Sequence, residues 1–167
     1  KRMKRTEICW RAYQQRILDN IEHYLHNDVI HLVAPPGSGK TLLGLEILQR
    51  LQKKTLILVP SLMLKKQWLE TLSTYDPNLT TSNELLGDAQ MILTTYQEIY
   101  SKLKKNPDYL KNTTIEVLVM DEAHHLKSSW SDVLLQLKKQ SENLQTLSLT
   151  ATPPFDANQK EWRRYLE

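Results

Sequence analysis

The sequence predicts an α/β fold built on a largely parallel, doubly wound sheet, and three observations predict it. Short apolar runs rich in β-branched residues recur at Val29–Ala34, Thr55–Val59, Met91–Thr94, Val117–Met120 and Thr146–Leu149. Helical apolar patterns lie between most of them. Runs such as Leu56–Val59 and Val117–Met120 are apolar throughout rather than alternating, so strands of this kind need cover on both faces, which a parallel sheet joined by helices provides. In such sheets ligands bind at the carboxyl ends of the strands.

Each element has its own justification. Tyr13, Ile17, Leu18, Ile21, Tyr24 and Leu25 form one apolar face of an amphipathic helix that packs on the sheet. The run Val29–Ala34 has the pattern of a buried strand. Two of the four glycines, Gly37 and Gly39, follow it, and then Leu42, Leu43, Leu45, Ile47, Leu48 and Leu51 recur near helical spacing. The segment reads as strand, tight loop, helix. Ser61 caps a helix carrying Leu62, Leu64, Trp68, Leu69 and Leu72. Tyr96, Ile99, Tyr100 and Leu103 mark another, and Val133, Leu134 and Leu137 a third behind Ser131. Asp76 to Asp88 is polar and turn-rich, with Leu79-Thr80-Thr81 as the sole further short strand on offer.

The chain has 167 residues, 40% apolar and 25% charged. That composition describes one soluble globular domain and excludes a disordered, collagen-like or disulfide-built chain. No apolar run approaches the roughly 20 residues of a spanning helix, so no membrane is expected. The formal charge of +3 is carried by Lys1, Arg2, Lys4 and Arg5, without which 18 basic residues face 19 acidic ones. Any phosphate-binding surface must therefore come from local arrangement. The basic start reads as a linker end or terminal remnant, with a nucleic-acid arm as the alternative. It lacks the apolar core of a signal peptide, and Cys9 alone builds neither a disulfide nor a cysteine-rich zinc site, so a reducing, cytoplasmic setting is expected.

The sharpest motif is Ala34-Pro35-Pro36-Gly37-Ser38-Gly39-Lys40-Thr41. A loop that wraps a triphosphate turns its N–H groups inward, and glycine permits both the backbone angles and the close approach. The following helix presents its N-terminus to the phosphates. Lys40 would reach the β- and γ-phosphates of ATP, and the Thr41 hydroxyl would take a place on Mg2+. The strict pattern wants glycine where Ala34 stands. The second motif, Val117 to His124, is an apolar strand ending in Asp121-Glu122. Asp121 would hold Mg2+ through its water shell, and Glu122 would orient or deprotonate the attacking water. Adjacent His124 and His125 cannot easily face one ion, so zinc is not expected, and His23, His26 and His31 read as surface or packing residues.

Together these residues resemble the amino-terminal, RecA-like ATP-binding lobe of superfamily 2 helicases and translocases of the DEAH-like kind, over nearly the whole chain. The resemblance implies a three-layer P-loop NTPase fold, and in that family the first motif commonly begins with alanine. Arg11-Ala12-Tyr13-Gln14 resembles the adenine-recognition element, which implies that Gln14 reads the adenine edge and Arg11 frames the base. Pro36, Gly37, Ser38, Gly39, Lys40 and Thr41 would then bind the nucleotide. Leu58-Val59-Pro60-Ser61 with Gln67-Trp68 and Thr94-Thr95-Tyr96-Gln97 resemble elements that touch the nucleic-acid backbone, implying contacts from Pro60, Ser61, Thr94, Thr95 and Tyr96. Trp68 reads first as a core residue, Ser61 as a helix cap, a phosphate contact or both, and Lys65 and Lys66 as a solvated face. Ser148-Leu149-Thr150-Ala151-Thr152-Pro153 resembles the TAT motif, which implies that Thr150 and Thr152, with His124, couple nucleotide state to nucleic-acid contacts.

The expectation is a single ATP- and Mg2+-binding domain over residues 1–167, from a motor that acts on nucleic acid, DNA more readily than RNA. The family's second RecA-like lobe has no counterpart here, so the chain is expected to be a monomeric fragment that binds ATP but hydrolyses it very slowly alone. An arginine finger from a second lobe is worth about 10³ to 10⁵ in rate. The alternative is a nucleotide-dependent binding or regulatory module without motor activity.

Overall fold

Strands and helices alternate along the chain, as the apolar pattern predicts. The helices are α1 (Ala12–Asn20), α2 (Lys40–Leu51), α3 (Leu62–Tyr75), α4 (Tyr96–Lys105) and α5 (Ser131–Gln140). The strands are β1 (Val29–Val33), β2 (Thr55–Val59), β3 (Thr81–Ser82), β4 (Met91–Thr95), β5 (Val117–Asp121) and β6 (Gln145–Thr150). The computed structural model describes residues 8–34, 39–76, 81–82, 89–109, 114–122, 131–140 and 143–150. Within them the strands form one sheet in the order β1-β6-β5-β2-β4-β3, every pair parallel.

The sheet separates two apolar layers because successive strand residues point to opposite faces. Ile57 and Val59 of β2 join Leu43, Leu45, Ile47, Leu48, Trp68, Leu72 and Tyr75 in the layer beneath α1, α2 and α3. Leu56 and Leu58 face the other way, onto Tyr96, Ile99 and Leu103 of α4 and Leu134 and Leu137 of α5. Each such buried Leu or Ile contributes about 1.5–3 kcal/mol relative to exposure. α2 packs tightly at Gly44, where an added Cβ would lie 3.1 Å from a Leu149 methyl and 3.7 Å from the Trp68 ring. No larger residue fits that approach without displacing Leu149.

Two elements differ from expectation. The amphipathic helix ends at Asn20 and tightens into a 3₁₀ turn over Ile21–His23. The Tyr24 and Leu25 N–H groups both bond the Ile21 carbonyl, which turns Tyr24 outward to 51% exposure while Ile21 stays buried. Apolar strand β1 alternates instead of being buried on both faces: Ile30 and Leu32 face the core, but His31 and Val33 are exposed. β1 is the edge of the described sheet, and no described helix covers its second face. At the opposite end of β6, Gln145 accepts from Lys53 Nζ at 2.7 Å and donates to the Leu25 and Asn27 carbonyls at 2.8 and 3.0 Å. That clamp ties the link before β1 to the strand beside it.

Candidate functional site

Parallel register brings the predicted motifs to one edge. Val33 lies opposite Thr150, Asp121 opposite Leu149, Leu58 opposite Met120 and Val59 opposite Thr95. The strand ends that carry Ala34, Thr150, Asp121, Pro60 and Thr95 therefore form a continuous carboxyl-end rim. Two cross-links hold it: the Ala34 N–H bonds the Thr150 carbonyl at 3.1 Å, and the Glu122 N–H bonds the Leu149 carbonyl at 2.8 Å.

The helix that starts on this rim supplies the cation. Gly39 stands at φ +83°, a left-handed conformation that favours glycine, and Lys40 and Thr41 open α2 behind it. Lys40 Nζ pairs with Glu122 Oε1 and lies 3.1 Å from Asp121 Oδ1. A lysine more than 80 positions away in sequence thus meets both acids predicted to act with it. Glu122 itself has φ +53°, which a non-glycine residue adopts only at a cost of order 1 kcal/mol. The turn swings its carboxylate off the strand toward Lys40.

Asp121 is 1% exposed and is held by two aromatic donors. The Trp68 indole N–H donates to its Oδ2 at 2.8 Å, and the Tyr96 hydroxyl donates to its backbone carbonyl at 3.3 Å. Burial, with the Asp121 charge as a second cause, pushes the Tyr96 phenol well above its usual 10.0. The buried Oδ1 accepts no hydrogen bond among the described residues. An oxygen left in this state beside an ammonium suits a hard cation carried on phosphates and water. Among the described residues no cluster of three or more His, Cys, Asp or Glu forms an all-protein metal cage.

Gln14 joins α1 to the same mouth. Its Oε1 accepts from the Arg11 N–H at 2.9 Å, and its Nε2 donates to the Gly39 carbonyl at 3.1 Å. Arg11 is exposed at the start of α1. Pro60 and Ser61 are half-buried, and the Ser61 hydroxyl accepts from the Leu64 N–H at 3.2 Å, the cap predicted for α3. Thr95 caps α4 by accepting from the Glu98 N–H at 3.1 Å. Thr94, Thr95 and Tyr96 are all buried, with Thr94 donating to Glu98 Oε2 at 2.7 Å and Tyr96 turned to Asp121. The apolar α4 face draws the Tyr96 ring inward, so its structural partner is the acidic strand end. Thr150 is buried beneath the rim. Pro36, Gly37, Ser38, His124 and Thr152 lie outside the described residues.

Sequence reasoning missed two partners. Trp68 is a core residue as expected, yet its N–H serves Asp121. Glu46, inside the α2 apolar run, is buried and pairs with the Tyr75 hydroxyl and, at 3.4 Å, with Arg50 Nε. A carboxylate within an otherwise leucine-rich face was the available signal for Glu46.

A parallel sheet with a lysine at a helix start facing a strand-end acid pair defines a P-loop ATPase core. The family pattern described as "Type III restriction enzyme, res subunit" matches residues 7–155. The DNA 3'-5' translocase XPB2 of Sulfurisphaera tokodaii is 32% identical over 135 residues, which cover 78% of this chain and 28% of that protein. The African swine fever virus protein QP509L, named for an ATP-dependent RNA helicase, is 30% identical over 131 residues, covering 74% and 25%. The Pyrococcus furiosus Hef helicase domain superposes with a TM-score of 0.69 at 24% identity, over 93% of this chain and 36% of that one. The chain belongs to the type III restriction enzyme res-subunit family and is a superfamily 2 helicase ATP-binding domain with a RecA-like fold. It spans about a quarter of the length of the curated relatives named here.

Proposed function

We propose that this domain binds ATP with Mg2+ and hydrolyses it within a motor that moves on nucleic acid, DNA in preference to RNA. The observation that carries the reading is the convergence of Lys40, Asp121 and Glu122 at the carboxyl-end rim. Lys40 would move from the acids to the β- and γ-phosphates as nucleotide enters. Thr41 and Asp121 would hold Mg2+, and the unbonded Asp121 Oδ1 supports that fit. When bound, the ion neutralises charge on the phosphate oxygens. Glu122, released from Lys40, would orient a water for in-line attack on the γ-phosphorus and take its proton. The bond to the β,γ-bridging oxygen breaks, giving ADP and phosphate.

Gln14 and Arg11 would face the adenine, with Gln14 already aligned by its bonds to Arg11 and Gly39. Pro60 and Ser61 are the better candidates for backbone contact, because they are half-buried while Thr94, Thr95 and Tyr96 are buried. The preference for DNA rests on the likeness to a DNA translocase and on the form of the Asp121–His125 and Thr150–Pro154 motifs; a relative named for RNA is nearly as similar. His124 and Thr152 would couple nucleotide state to the strand with Thr150, and a second RecA-like lobe would complete the site.

The test is ATP hydrolysis by the full-length protein with single-stranded DNA, duplex DNA and RNA in parallel. Stimulation by DNA above RNA is expected, with residues 1–167 alone nearly inactive. Glu122→Gln should keep ATP binding and lose turnover. Robust turnover by Glu122→Gln removes the role given to Glu122. Nucleotide binding without turnover in the wild type favours the regulatory-module alternative.

A further inference from the structure

Trp68 is buried two turns into α3, the helix that begins at the Ser61 cap beside Pro60. Its indole N–H is a donor only, and it is spent on one oxygen of the strand-end acid at 2.8 Å. The partner oxygen of that carboxylate accepts no hydrogen bond among the described residues and faces Lys40 Nζ at 3.1 Å. A carboxylate pinned through one oxygen cannot rotate about its Cβ–Cγ bond without breaking the pin. The second oxygen, ion-paired with Lys40, is therefore aimed in advance at the mouth where Lys40 and Thr41 open α2. Tyr96 adds a second restraint on the same residue from the opposite layer, through the Asp121 carbonyl at 3.3 Å. The two donors sit on the helices that follow β2 and β4, and each of those helices starts at a hydroxyl cap on the rim.

We propose that Trp68 is a positioning residue for Asp121, fixing the carboxylate so that Oδ1 is presented to Mg2+-nucleotide and linking the start of α3 to the nucleotide site. The proposal rests on the nucleotide-site reading above. Tyr96 plays the same part more weakly, since its longer bond restrains the main chain rather than the carboxylate. Partners that orient a metal ligand typically change metal affinity by about 10–100-fold when removed.

The experiment measures binding of a fluorescent ATP analogue to the full-length protein, first in EDTA and then across a Mg2+ titration, with thermal midpoints alongside. Trp68→Phe keeps a benzene ring at the site but deletes the N–H together with the pyrrole half of the indole, which the thermal midpoint records separately. It should raise the Mg2+ concentration for half-maximal enhancement of binding about tenfold and leave affinity in EDTA unchanged. Tyr96→Phe, which loses one oxygen, should shift the Mg2+ midpoint in the same direction by a smaller factor and gives the reading should Trp68→Phe not fold. Tyr75→Phe deletes a buried donor on the same helix that serves Glu46, so it should lower the thermal midpoint with no change in Mg2+ requirement. A wild type with Mg2+-dependent binding and unshifted midpoints in Trp68→Phe and Tyr96→Phe overturns the proposal, as does an equal shift in Tyr75→Phe. A wild type that binds no nucleotide, indistinguishable from Lys40→Ala, overturns the nucleotide-site reading and the proposal with it.

Discussion

Trp68 and Tyr75 lie seven residues apart on one face of α3, and each donates a hydrogen bond to a buried carboxylate, yet the two carboxylates are left in different states. Glu46 has both oxygens engaged: Tyr75 serves one, and Arg50 serves the other while also bonding the Leu18 carbonyl at 3.2 Å. The result is a strut joining α1, α2 and α3. Asp121 is as deeply buried but has one oxygen served by Trp68 and the other left to face Lys40. Burying a carboxylate oxygen that ion-pairs with Lys40 but accepts no hydrogen bond still costs stability, and a fold that needed only rigidity would repeat the Glu46 arrangement. An oxygen that pairs with the lysine at the mouth but accepts no hydrogen bond therefore separates a carboxylate kept for a ligand from one kept for structure.

The sharpest way to break this contrast is turnover. In the full-length protein Asp121→Asn should reduce ATP hydrolysis by roughly 10³-fold, since metal charge stabilisation is worth several kcal/mol, whereas Glu46→Gln should leave it near wild type. Comparable losses in steady-state rate for both variants would erase the distinction. Stability should rank them the other way. Glu46→Ala removes the buried carboxylate that accepts from the Tyr75 hydroxyl and Arg50 and should cost about 2–3 kcal/mol by urea denaturation, while Asp121→Asn, whose amide oxygen still accepts from Trp68, should cost less.

A third measurement sharpens how tightly the Asp121 side is built. Gly39→Ala puts a Cβ 2.8 Å from Gln14 Nε2 at φ +83° and should cost about 1–2 kcal/mol. Adding Gln14→Ala should recover the steric part but not the dihedral part, which a double-mutant cycle reads directly. Full additivity would mean that Gln14 does not abut the loop.

The smallest effect is at alkaline pH. The folded-state pKa of Tyr96 is raised, first by burial and then by Asp121. Its protonated form is therefore favoured in the native state, and this contribution is fully present below the unfolded value of about 10 and lost as pH rises above it. Tyr96→Phe should flatten the fall in stability above that pH relative to wild type. Identical slopes would show that the phenol does not hold its proton through folding.

Much of the fold was legible because its signals are local. Strand runs such as Leu56–Val59 and Val117–Met120 are apolar at every position, and the structure buries every residue of both. The Ser61 cap was legible because one hydroxyl and one N–H three residues on suffice to form it. β1 was misread as buried on both faces because its composition does not reveal which strand ends at the edge. Tyr96 belongs to a motif that resembles a backbone-contacting element, and its helical spacing with Ile99 and Leu103 also pointed to the core, where its side chain lies.

The sequence by itself determined the class: apolar runs at strand length, a glycine-rich loop ahead of a helix, and an acid pair closing a strand are statements about neighbours in the chain. Only the tertiary structure decided that Lys40 meets Asp121 and Glu122, that Trp68 is the donor to Asp121, and that Glu46 is hydrogen-bonded through both oxygens where Asp121 is hydrogen-bonded through one. Those pairings depend on strand order and register. Sheet geometry sets them across many tens of residues, and residue spacing carries no record of them.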